Sequence, residues 1–226
     1  MRPEHFKTTY EWKSRKVAFL DQIWYVPVNI SDDENFEFPG WKQLFGNSNP
    51  INIEYCSGNG AWIAEKALKN PNQNWLAVEK KYLRVKKIRS KIENFQLKNL
   101  IILCGEGLNA TKRYFPKESI QKIYVNFPDP WPKKKHAKNR IINPIFADEM
   151  ARLLKKEGTI TMVTDDKNYS QEMITVFKNN NLFNSIYKEP YFVTSCNDYG
   201  SSYFEDLWVQ QGKEIHYHEF KRIEEI

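Results

Sequence analysis

The sequence predicts an α/β fold, a doubly wound and mostly parallel sheet with helices on both faces and an antiparallel finish. Three observations predict it. Strand-like and helix-like stretches alternate at least five times from Pro50 onward, the pattern of successive β-α-β units. The early strand candidates are short apolar runs without strict alternation, as expected where both faces of a parallel strand are buried. The last third, from Leu182, holds two strand candidates with little helix between them, which suits an antiparallel end.

Residues 1–48 carry no clean period. They are aromatic and basic to Tyr25, then acidic from Asp32 to Glu37, and Phe38-Pro39-Gly40 punctuates them. An irregular or partly helical extension is expected there, followed by one domain over residues 49–226. Ile51 to Cys56 reads as a strand, Gly58-Asn59-Gly60 as its turn, and Ala61 to Leu68 as a helix stopped before Asn70-Pro71. Asn74 to Glu79 is a second strand. In the next helix Val85, Ile88, Ile92 and Phe95 recur at spacings of 3, 4 and 3, one apolar stripe under a basic outer face. Leu100 to Cys104 and Ile120 to Phe127 give the third and fourth strands. Asn143 is suited to cap a helix with Pro144 in its first turn. Phe146, Met150, Leu153 and Leu154 supply that helix's buried face, and Gly158 is expected to stop it. Thr159 to Thr164 is a fifth strand, Tyr169, Met173, Val176 and Phe177 mark one more helix, and Glu214 to Phe220 reads as an edge strand.

Composition narrows the class. The chain of 226 residues is 41% hydrophobic and 15% aromatic, enough for a sizeable core. No apolar run approaches the roughly 20 residues of a membrane helix, and Met1 to Lys13 lacks an apolar signal stretch. Cys56, Cys104 and Cys196 are few and far apart, with no C-x-x-C pair. They predict buried thiols in a reduced, cytoplasmic setting rather than a disulfide frame or zinc site. His216 and His218 could share one strand face, but no Cys or carboxylate partner suggests itself, so no metal is expected. A net charge of +6 makes acidic partners plausible. Basic residues cluster between Lys80 and Lys91, in the N-terminal segment, and most densely after Trp131.

Ligands of open α/β sheets lie beyond the carboxyl ends of the strands, so strand ends are where chemistry is sought. After the first strand, Glu54 to Gly60 carries Gly58 and Gly60, which permit a tight turn and close backbone approach. Ile63 occupies the position where a dinucleotide fingerprint has its third glycine. Glu54 would repel a pyrophosphate there and welcome a cationic ligand with an amino-acid group. Glu79 ends the second strand 19 residues after Gly60, the offset of an acid that accepts both hydroxyls of an adenosine ribose. Glu106 follows the third strand between Gly105 and Gly107, where a carboxylate can accept from an adenine amino group or simply start a turn. Three acids around a glycine turn suit a positively charged nucleoside, and S-adenosylmethionine fits better than NAD or ATP.

After the fourth strand comes NFPDPWPKKKHAKNR, Asn126 to Arg140. Proline fixes its own φ and restricts the residue before it. Pro128, Pro130 and Pro132 are therefore expected to hold Asp129 and Trp131 in a stiff, extended lip. Lys133, Lys134, Lys135, Lys138 and Arg140 would neutralise phosphates. Trp131 either stacks on a base or packs under the loop.

This chain resembles the tRNA (guanine-N7)-methyltransferase family, whose members carry an F-P-D-P-W segment followed by basic residues. The resemblance runs from about Ile53 to the C-terminus, through Glu54 to Gly60, Glu79, Glu106, Phe127 to Arg140, Thr164 to Tyr169 and Ser202 to Glu205. It implies a Rossmann-like class I methyltransferase fold of about seven strands with an antiparallel final strand. It further implies that Glu54, Gly58, Gly60, Glu79, Glu106 and Asp129 bind S-adenosylmethionine, with Asp129 also catalytic. Lys133, Asp165, Ser202, Tyr203, Phe204 and Glu205 would contact the tRNA or its target guanosine, expected at position 46 of the variable loop. The chain departs from the family at Cys56, where a motif glycine is usual, and at Glu106, where Asp or Asn is common. Ser202 replaces a threonine, and Leu207 sits where a basic residue often follows the glutamate. Asp165 is otherwise a candidate helix N-cap and Glu205 a surface acid. Two other classes compete: an NAD-dependent dehydrogenase, disfavoured by Ile63, and a non-catalytic RNA-binding protein with a degenerate methyltransferase fold.

Overall fold

The computed structural model describes residues 1–7, 10, 12–30, 35–200 and 203–224. The chain divides into two compact units, Met1–Pro116 and Lys117–Ile226.

In the first unit, strands β1 (Ala18–Leu20) and β2 (Ile23–Val26) come from the N-terminal segment, ahead of a short helix α1 (Trp41–Phe45). Then follow β3 (Ile51–Tyr55), α2 (Ala61–Lys69), β4 (Asn74–Glu79), α3 (Tyr82–Asn94), β5 (Leu100–Gly105) and α4 (Gly107–Tyr114). Strands β3, β4, β5 and β2 pair in parallel in that order, and β1 closes the row antiparallel to β2. Strands β3 and β4 are buried at every residue, which is why their text is apolar without alternation. Helix α3 packs on β4 and β5 through Val85, Ile88 and Ile92.

The second unit contains β6 (Ile120–Asn126), α5 (Pro144–Leu153), β7 (Leu154–Thr164), α6 (Lys167–Lys178), β8 (Phe183–Ser185), α7 (Tyr203–Gln210) and β9 (His216–Arg222). Strands β6 and β7 are parallel, while β9 runs antiparallel to both β7 and β8. Asn143 caps α5 by accepting from Phe146 N, with Pro144 at the first turn, as its sequence required.

The α/β class, the mostly parallel pairing and the antiparallel last strand are as expected. From Pro50 onward the described residues form seven strands, and the N-terminal segment adds two more. That segment is therefore more ordered than its lack of period suggested. Ile23, Trp24, Tyr25 and Val26 are all buried, and β2 pairs with β5 over its whole length. Other expectations need correction. Leu154 opens β7 rather than closing α5. Gly158 lies within that strand, where a Cβ would come 2.9 Å from the carbonyls of Gln121 and Lys155. Phe95 is half exposed at the end of α3, and Ile174 rather than Val176 faces the core. The strand at His216–Arg222 is an inner one, between β7 and β8. Of the thiols only Cys104 is buried; Cys56 is exposed.

Candidate functional site

In the first unit the turn after β3 is left-handed at three positions, Cys56 (φ 62°), Gly58 (φ 56°) and Gly60 (φ 71°). Gly60 is required twice over, since a Cβ there would sit 2.6 Å from Ile88 Cγ1. The turn is held by Gly60 N donating to Ser57 O at 2.8 Å and Ser57 N donating to Val78 O at 3.1 Å. Glu79 locks it to the end of β4: Oε2 accepts from Gly58 N at 3.0 Å and Oε1 from Lys81 N at 2.8 Å. Arg84 Nη1 approaches Glu79 at 3.6 Å. Glu54 and Glu79 are only 2% and 5% exposed, so two carboxylates are kept out of water beside one glycine turn. Burying such charge is costly without compensation, and the surroundings favour a cation over a phosphate.

Glu106 follows β5 and caps α4, Oε2 accepting from Asn109 N at 2.8 Å. Its neighbours are glycines for steric reasons. A Cβ on Gly105 would lie 2.3 Å from Val26 O, and one on Gly107 would lie 2.9 Å from the Tyr55 ring and from Val78. The first turn of α4 thus sits directly against β3 and β4. The structure brings Glu54, Gly58, Gly60, Glu79 and Glu106 to the carboxyl ends of three adjacent parallel strands.

In the second unit, the lip after β6 is not extended throughout. Phe127 (φ 46°) and Trp131 (φ 42°) are left-handed, a strained conformation for bulky residues. Phe127 N is tied to Val163 O at 2.9 Å. Asp129 is exposed, and its Oδ1 accepts from Trp131 N at 3.1 Å. Trp131 is half-buried, with its ring 5.7 Å from that of His136 and edge-on to it. A 3-10 helix, Lys134–Asn139, carries the basic residues, and Lys133, Lys135 and Lys138 are exposed.

Arg140 differs from its expected role. Its Nε donates to Pro130 O at 2.7 Å, its Nη2 to Trp131 O at 3.3 Å and its Nη1 to Glu172. Asp165, at the end of β7, is not the helix cap. Asp166 caps α6 through Tyr169 N at 2.8 Å, leaving Asp165 to pair with Lys213 at 2.5 Å. Glu205, on α7, accepts from Tyr217 Oη. Burial first, and that hydrogen bond second, push the Tyr217 phenol above its ordinary range, so it stays the donor. Ser202 lies outside the described residues, as do the side chains of Tyr203 and Phe204.

Sequence reasoning missed Arg140 as a structural hub, Lys213, and Ser170 as the buried link between His216 and His218, two residues it had placed on one strand face. There Ser170 Oγ lies 2.8 Å from His216 Nδ1 and 3.1 Å from His218 Nε2. The alternation H-Y-H on one strand was the available signal for the histidine pair. None in the sequence pointed to Lys213.

A parallel α/β sheet with acids at successive strand ends and a glycine turn defines a class I methyltransferase fold. Solved structures agree. An antibiotic-related methyltransferase matches with a TM-score of 0.56 at 16% identity, covering 87% of this chain and 96% of that one. An rRNA methylase from Streptococcus thermophilus matches with a TM-score of 0.53 at 12% identity, covering 78% and 89%. A methyltransferase family model matches residues 48–218. The tRNA (guanine-N(7)-)-methyltransferase of Chlamydia caviae is 41% identical over 97% of both chains. That of Chlamydia trachomatis is 43% identical over 99% of both. The chain belongs to the tRNA (guanine-N7)-methyltransferase family.

Proposed function

We propose that this protein transfers a methyl group from S-adenosylmethionine to N7 of a guanine in tRNA, at position 46 of the variable loop, forming 7-methylguanosine. Its full-length likeness to relatives bearing that name carries the reading, and the chemistry of the strand ends supports it. The buried Glu54 and Glu79 suit a cationic nucleoside. Gly60 and Gly107 let the turn and the start of α4 pack closely against Ile88, Tyr55 and Val78, which holds the three strand ends together. Cys56 adopts the left-handed conformation a glycine would take, so the turn is kept despite the departure from the family motif.

S-adenosylmethionine, when bound, supplies an electrophilic methyl group on a sulfonium. Glu79 would hold the ribose hydroxyls, Glu106 the adenine amino group, and Glu54 would face the amino-acid end. Asp129 would contact the cofactor and act as the catalytic residue. Guanine N7 has a lone pair and no proton, so no general base is needed, and the chain's task is positioning and electrostatics. Asp129 and Asp165 accept from guanine N1–H and the exocyclic amino group, selecting guanine over adenine. Their charge also suits a purine that becomes cationic. Lys133, Lys135 and Lys138 neutralise phosphates, giving affinity and salt sensitivity rather than sequence choice. The Ser202–Glu205 segment, with Tyr203 and Phe204, contacts the tRNA in the cytoplasm.

The test is incubation with labelled S-adenosylmethionine and unmodified tRNA, followed by backbone-cleavage mapping of 7-methylguanosine. Label at position 46 is expected. RNA binding without transfer would favour the non-catalytic reading.

A further inference from the structure

Arg140 closes the basic stretch, and its guanidinium is turned inward. Three of its nitrogens are committed: Nε to Pro130 O at 2.7 Å, Nη2 to Trp131 O at 3.3 Å, and Nη1 to Glu172 on α6. Its plane lies 5.4 Å from the ring of buried Tyr169, and the side chain is only 18% exposed. A guanidinium offers a rigid fork of donors, and this one has most of them spent. Little is left for a phosphate.

The carbonyls it holds are those of the two residues after Asp129. Trp131 is strained at φ 42°, in a position before proline that prefers an extended backbone. Its carbonyl is held by Arg140 while its N–H donates to Asp129 Oδ1 at 3.1 Å. On the other side of Asp129, strained Phe127 is pinned to Val163 O at 2.9 Å. Asp129 therefore sits between two left-handed residues, each fastened to a regular element. One is fastened by the sheet, the other by Arg140 through Glu172.

We infer that Arg140 is a positioning residue that holds the Asp129 carboxylate in its working orientation, and not a phosphate contact. The inference rests on the methyl-transfer reading of Asp129. Without the clamp, Trp131 relaxes toward the extended region, its N–H leaves Asp129, and the carboxylate loses its fixed direction. Lysine cannot replace the fork, because a single ammonium does not span two carbonyls and a carboxylate.

The test has three readouts. Arg140→Lys and Arg140→Gln should lower kcat for tRNA methylation by about 10–100-fold, as expected for misplacement near the chemistry. The slope of log Kd for tRNA against log salt should stay at the wild-type value in both. Lys138→Gln is the phosphate control and should reduce that slope by about 1. Trypsin should cleave between Lys133 and Lys138 faster in Arg140→Gln than in wild type, a readout that does not depend on transfer. Glu172→Gln, a milder change on an exposed flank, should lower kcat several-fold without altering the slope, and it serves if Arg140 variants do not fold. A wild-type kcat with a slope reduced by about 1 in Arg140→Gln, the variant that removes the charge, would make Arg140 a phosphate contact. Unchanged trypsin cleavage would equally overturn the clamp. A wild-type protein that transfers no methyl group, yet whose Arg140→Gln form is cleaved faster, would remove the functional reading and leave the clamp.

Discussion

Lys213 Nζ lies 2.5 Å from Asp165 Oδ2 and 3.5 Å from the centre of the Trp208 ring. One ammonium thus connects the end of β7 with α7, and the acid proposed to read the guanine edge is neutralised on one oxygen. The pair is partly screened by solvent, since Lys213 is 40% and Asp165 18% exposed. A coupling of about 0.5–1 kcal/mol is expected from a double-mutant cycle of Asp165→Asn and Lys213→Met in thermal melts. It should shrink at 1 M salt, where screening reaches a few ångströms. A coupling of zero would mean the pair adds nothing to stability.

Asp129→Asn keeps an oxygen to accept from Trp131 N–H but removes the charge. Its kcat at saturating cofactor should fall by about 100-fold, the scale of losing one preorganised electrostatic group. Asp129→Ala should fall further, since the link to Trp131 goes as well. Transfer at the wild-type rate by either variant would remove Asp129 from catalysis.

The glycine turn makes two opposite predictions. Gly60→Ala places a methyl 2.6 Å from Ile88 Cγ1 at a φ of 71° and should destabilise by about 2–4 kcal/mol. Cys56→Gly relieves a left-handed cysteine at φ 62°, against the entropy a glycine loses, for a net gain of about 0.5–1 kcal/mol. Urea titrations of the two variants check both signs.

Burial lowers the His218 imidazole from 6.5 to about 4, with the nearby His216 acting in the same direction and the Tyr191 carbonyl opposing it. The unfolded chain therefore binds a proton in a range where the folded chain does not. The resulting stability is fully present above pH 6.5 and is lost as pH falls toward 4, by up to about 3 kcal/mol. Denaturation midpoints of His218→Gln should show a shallower decline than wild type across that window. Parallel declines would place the titration elsewhere.

Much of this was legible because it rests on local rules. Glu54, Glu79 and Glu106 were found by asking what stands at the ends of apolar runs, and strand ends converge in any parallel sheet. Gly58 and Gly60 declared themselves because two closely spaced glycines after an apolar run favour a tight left-handed turn. Asn143-Pro144 was a complete helix start in two residues. What stayed hidden depended on partners distant in the chain. Arg140 looked like one more cation among lysines, since nothing nearby says that Glu172 waits 32 residues later. Lys213 is 48 residues from Asp165. Strand β2 was missed because four buried residues without period are too short a run to separate from an aromatic extension. The positive φ of Trp131 was masked by its prolines, which argue for extended backbone and were overruled by tertiary hydrogen bonds.

The parallel pairing of β2 with β5 has a consequence for synthesis. Val26 meets Gly105, so the partner of the first buried strand is made about 80 residues later, some 4–16 s at the usual pace of 5–20 residues per second. During that interval the ribosome presents Ile23-Trp24-Tyr25-Val26 with only the short β1 to pair with. The nascent chain carries these four buried residues early and covers them late.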